Sequence, residues 1–114
     1  QVDFMKVKPG SESAYVEMEV NTWKPVHKEF INAGTRVGWS LWNEIYPGGS
    51  AMDYQYVTAN YFKDFSKIGM ADFNAAFEKA HAGKNMDEFN QKTTDSRDLV
   101  RSELWQLVEV VMNE

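Results

Sequence analysis

The chain has no cysteine, and only two histidines, three prolines and seven glycines among its 114 residues. Without cysteine there is no disulfide framework, thiolate nucleophile, cysteine-ligated zinc or iron–sulfur cluster. Positive charge is also scarce: 12 Lys+Arg stand against 17 Asp+Glu, for a formal net charge of -5. That balance works against a sequence-independent grip on phosphate backbones or anionic lipid, so neither nucleic acid nor a membrane is expected as partner. The longest apolar runs, such as Val110-Val111-Met112, are far too short to cross a bilayer. Gly-x-Gly-x-x-Gly, P-loop and Gly-x-Ser-x-Gly patterns are missing, which removes local support for nucleotide cofactors and serine-hydrolase chemistry. No His-x-His or His-Glu-x-x-His pattern occurs, so neither a metal nor a cofactor is expected. The first residue is Gln1 rather than Met. The compartment stays open between the cytoplasm and export after removal of an N-terminal signal.

What the chain does have is a heavy aromatic load of four Trp, five Tyr and seven Phe. Its length suits a single domain over residues 1–114 with one core. Val2 to Lys8 reads as a strand that stops at Pro9-Gly10. Ser11 then caps a helix on whose buried face Val16, Val20, Trp23, His27 and Phe30/Ile31 recur, ending at Ala33-Gly34. Pro25 falls inside this pattern and should either kink the helix or open a second segment capped by Thr22. Thr35 to Tyr46 alternates like a strand, Pro47-Gly48-Gly49-Ser50 turns the chain, and Asp53 to Phe62 returns as the partner strand. A helix near Ala71 to Ala82 buries Phe73, Ala76, Phe77 and Ala80. Asn85 and Glu88 have the spacing of a capping box for a further short helix, and Leu99 to Met112 reads as a long last strand.

The order β-α-β-β-α-β predicts an α+β fold, a ferredoxin-like sandwich of one four-stranded antiparallel sheet with its helices on one face. The second and fourth strands should lie at the edges and be the longest. Apolar residues fall on both faces: Trp39 and Trp42 point oppositely, as do Tyr56 and Tyr61. A sheet that needs cover on both faces, with long apolar edges, predicts a homodimer joined sheet to sheet.

The chain resembles the dimeric α+β barrel superfamily, which includes antibiotic-biosynthesis-monooxygenase-like and stress-responsive barrel proteins. The resemblance lies in the order of elements, in the opening Val2-Asp3-Phe4-Met5-Lys6-Val7-Lys8-Pro9-Gly10, in Trp23-Lys24-Pro25-Val26-His27, in Gly38-Trp39 and in Asp98-Leu99-Val100-Arg101-Ser102-Glu103-Leu104-Trp105. It implies architecture more than activity, because members of the fold differ widely in what they do.

His27 is the leading candidate for chemistry, since it sits on the apolar helix stripe between Trp23 and Phe30. There it would act as general base, haem ligand or hydrogen-bonding anchor, or else be a satisfied core histidine. Asn60 interrupts an apolar strand face and is paired with His27 as a catalytic candidate; a turn-capping role is the plain alternative. Trp23, Trp39, Tyr54 and Tyr56 are expected to line a pocket for a hydrophobic small molecule, with cross-strand packing as the plain alternative for Trp39, Tyr54 and Tyr56. Asn43 is expected to be solvated near the turn, and His81 to be a surface residue at a helix C-terminus. Arg36 with Glu44, and Arg101 with Glu103, share strand faces and suggest either ligand clamps or intersubunit ion pairs. The function expected is a dimeric small-molecule-binding protein; if it is catalytic, the resemblance implies a cofactor-independent monooxygenase or isomerase acting on a hydrophobic or aromatic compound. The alternative is a non-catalytic dimeric interaction or scaffold module.

Overall fold

The computed structural model describes residues 1–49 and 51–113. The first strand, β1 (Val2–Val7), is followed by helix α1 (Glu12–Met18), a π-helical turn over Glu19–Trp23, and α2 (Lys24–Asn32). The hairpin strands β2 (Gly38–Asn43) and β3 (Tyr56–Tyr61) come next, then a 3-10 turn at Phe65–Lys67, α3 (Phe73–Ala80), α4 (Met86–Ser96) and β4 (Arg97–Glu103). The result is an α+β structure with a four-stranded antiparallel sheet in the order β2-β3-β1-β4, compatible with a ferredoxin-like arrangement. Of the expected turn at Pro47-Gly48-Gly49-Ser50, Ser50 lies outside the described residues.

Strand lengths are set by the neighbouring strand. Gly38 pairs with Tyr61 and Asn43 with Tyr56, so β2 covers the whole of β3 and the expected strand from Thr35 to Tyr46 shortens accordingly. Likewise Val2 pairs with Glu103, which uses all of β1. The expected strand from Leu99 to Met112 therefore begins two residues earlier, at Arg97, and ends at Glu103. Beyond that point the chain has no ladder to join, and Trp105 is 70% exposed. The two edge strands are β2 and β4 as expected, but at 6 and 7 residues they are not markedly longer than the 6-residue inner strands.

The first helical region shows how Pro25 is accommodated. Proline has no N–H to give to the turn behind it, and its ring crowds that turn. The preceding backbone widens into the π turn, with the Lys24 N–H bonding the Glu19 carbonyl five residues back, and Pro25 then occupies the first turn of α2. Trp23, not Thr22, holds the N-cap position of α2. One extra residue in the turn also rotates the buried face. Tyr15 and Glu19 take the inward positions expected of Val16 and Val20, while Val26 and Phe30 continue the stripe and Ile31 is exposed. Ser11 precedes α1, but its hydroxyl makes no capping bond, because its backbone is outside the extended region that aims a cap at the first N–H groups. Asn85 does cap α4, accepting from the Asp87 N–H at 2.9 Å.

The core forms two apolar clusters. Trp23, Val26, Phe30, Ala76 and Phe77 pack between helices, and Met5, Val7 and Tyr15 pack between β1 and α1. Among the described residues the buried polar set is Glu19, Thr22, Arg36, Thr58, Asn60, Thr93 and Ser96.

Candidate functional site

A cavity of about 570 Å³ lies between the helix-facing side of the sheet and the helices, with Met5 and Trp23 from the two apolar clusters in its wall. Its polar lining includes Asp3, Glu19, His27, Arg36, Asn60 and Arg97. Strand parity explains the sheet-side members. Asp3 and Met5 on β1, and Thr58 and Asn60 on β3, alternate toward the helices, whereas Phe4 turns to the opposite face. Glu19, Trp23 and His27 come from the continuous helical region, where the π turn brings Glu19 onto the inward face.

At one end, Arg36 gathers the polar groups. Its Nη1 donates to His27 Nδ1 at 2.7 Å and to Asn60 Oδ1 at 2.6 Å. A guanidinium has donors only, so His27 Nδ1 must accept, which fixes the imidazole as the neutral tautomer protonated at Nε2. Burial and the neighbouring Arg36 cation agree with this, lowering the His27 pKa from 6.5 to about 3. Trp39 stacks on the imidazole with centroids 5.0 Å apart and planes 13° from parallel. The guanidinium carbon lies 4.5 Å from the Phe30 ring centre, 5.6 Å from that of Phe62 and 5.7 Å from that of Phe73. Cation–π attraction offsets part of the cost of burying this charge.

Glu19, a further inward-facing ionisable group of the helical region, is only 5% exposed. Burial, opposed by the Arg97 cation and reinforced by the Asp3 carboxylate, raises its pKa to about 7. Glu19 is therefore poised to hold or release a proton near neutrality. Nearby, the Trp23 indole N–H donates to Thr93 Oγ1 at 2.7 Å, tying the π turn to α4.

Of the residues expected to form the site, Trp23, His27 and Asn60 line the cavity, and Trp39 lies behind His27. Tyr54 and Tyr56 are not brought to it. Tyr54 packs edge-on against Phe4 with centroids 5.0 Å apart, and Tyr56 packs against Tyr15 beside a separate groove on α1. Asn60 does not cap a turn; it is 7% exposed within β3. Asn43 is exposed, as expected. His81 is half-buried rather than superficial, donating from Nε2 to the Thr22 carbonyl at 2.8 Å and stacking on Phe89. Arg36 forms no pair with Glu44, because it turns into the cavity. Arg101 does pair with Glu103, at 2.7 Å, but within one chain on an exposed face. Sequence reading missed Glu19 and Arg97; an acidic residue one step off a proline-interrupted apolar stripe was the available signal for the first. Among the described residues no cluster of His, Cys, Asp and Glu is arranged to hold a metal ion, and no helix is long and apolar enough to cross a membrane.

Comparison of the chain with protein-family models, with curated proteins and with solved structures finds no match.

Proposed function

We propose that this protein binds a small organic molecule in the cavity between sheet and helices. The carrying observation is a space of about 570 Å³ whose wall combines apolar side chains with a few convergent polar groups, the usual make-up of a specific small-molecule site. Asn60 Oδ1 is occupied by Arg36, so its amide N–H groups, together with His27 Nε2–H and the Arg36 guanidinium N–H groups other than those on Nη1, are among the donors that can orient a ligand. The neutral state of His27 suits hydrogen bonding better than proton transfer. Glu19 is better matched to exchanging a proton with a bound molecule near neutral pH. Of the two reactions implied by the resemblance, these groups serve isomerisation by proton transfer better than oxidation.

The finer architectural reading is a ferredoxin-like subunit that pairs sheet to sheet in a dimeric α+β barrel. Its support is Trp42, 59% exposed on the sheet face away from the helices, and the exposed Leu104, Trp105, Leu107, Val108 and Val111 that follow β4. The same surface supports the second reading, a non-catalytic interaction module, which requires no ligand in the cavity.

Ligand-observed NMR against a panel of small apolar compounds separates the two. The expected result is a set of binders lost when Ala71, in the cavity wall, is replaced in Ala71→Trp. Absence of binders, or binders that persist in that variant, would count against the cavity reading.

A further inference from the structure

Resting on the cavity reading, we infer that the ligand is an organic carboxylate, a single negative charge on an apolar body, whose carboxylate is held by Arg36. Arg36 is only 7% exposed, yet among the described residues it forms no ion pair. Its protein hydrogen bonds go to an imidazole and an amide and use Nη1 alone. Nε is buried without an acceptor, and among the described residues nothing accepts from Nη2. These two nitrogens form one edge of the guanidinium, the planar fork that matches a carboxylate bidentately; Nε has almost no accessible surface in this structure, so a carboxylate meets Nη2 first and reaches Nε as the guanidinium shifts. Buried charges are ordinarily paired, and the three phenyl rings around this one offset its burial without neutralising it.

The wider cavity points the same way. Arg97 also lines it and also carries a buried Nε without an acceptor. Against these two cations stand Asp3, already engaged by Gln1 Nε2 and by the Ser102 hydroxyl, and Glu19, which burial keeps largely protonated below neutrality. Where Glu19 is protonated, Asp3 balances one of these two side-chain cations, which leaves room for a further anion. Met5, Trp23, Phe62, Phe73 and Met86 supply the apolar wall for the rest of such a molecule.

The test compares four acids, hexanoate, octanoate, phenylacetate and 3-phenylpropionate, with the four matching primary amides, by NMR titration of the intact protein. The expected result is that at least one acid binds tenfold or more tightly than its own amide. That preference should fall to within twofold in Arg36→Met and survive in part in Arg36→Lys. Should Arg36→Met not fold, the acid-to-amide ratio in the unaltered protein decides the matter. Amides binding as tightly as their acids would overturn the carboxylate assignment and leave the cavity reading standing. Binding by neither series would overturn both.

Discussion

Glu19 and His27 line one cavity, and folding moves their proton affinities in opposite directions. The Glu19 pKa rises from 4.5 to about 7, so the native state holds its proton more tightly than the unfolded chain does. Its contribution favours folding below pH 4.5 and is lost as pH rises toward 7. The His27 pKa falls from 6.5 to about 3, so its contribution is present above pH 6.5 and is lost as pH falls toward 3. Stability should therefore pass through a maximum in the mildly acidic range. Glu19→Gln removes the alkaline arm, and urea unfolding should show it more stable than the parent at pH 8 by about 1–3 kcal/mol, with little difference at pH 4. An equal effect at both pH values would mean that folding leaves the Glu19 pKa unchanged. Neither shift could be read from the sequence, since each depends on burial and on Arg36, Arg97 or Asp3 arriving from other elements. His27 was legible as an inward histidine because helical spacing alone put it on the stripe; its partner at Nδ1 was not.

At the scale of elements, alternation and helix spacing were enough to recover the order of strands and main helices, whereas boundaries were not. Where β2 and β4 stop depends on how far β3 and β1 extend, which is a property of pairs of strands rather than of either segment. The π turn is the second illegible feature. Pro25 signalled an irregularity, but the widening of the turn before it, and hence the exchange of Val20 for Glu19 on the inner face, appears only in the folded backbone. This turn is tethered to α4 through the buried bond from the Trp23 indole N–H to Thr93 Oγ1. Trp23→Phe deletes the donor and should cost about 1 kcal/mol. Thr93→Val strands the indole N–H inside the protein and should cost more, about 1–3 kcal/mol. Denaturant unfolding of both single variants and the double variant should show a non-additive pair; additive costs would show that the bond contributes nothing to stability.

For the whole molecule, Trp42 is exposed on the sheet face away from the helices, and a run of exposed apolar residues from Leu104 to Met112 follows β4. The dimer proposed from this surface should bury more than about 1,000 Å² in total. Sedimentation at micromolar concentration should give twice the chain mass, and Trp42→Glu on that sheet face should shift it to the monomer while the fold, followed by circular dichroism, is retained. A monomer in the unaltered protein would remove the barrel reading and leave the cavity, which is lined by residues of one chain, as it stands. That cavity is the central claim. It is tested most directly by a crystal structure of the protein grown with whichever of the four acids binds most tightly. The account predicts density between the sheet and helices, with the carboxylate at the Nε and Nη2 edge of Arg36 and the apolar body toward Trp23 and Met86. A cavity filled by rearranged side chains, or a ligand bound only on the sheet face away from the helices, would contradict it.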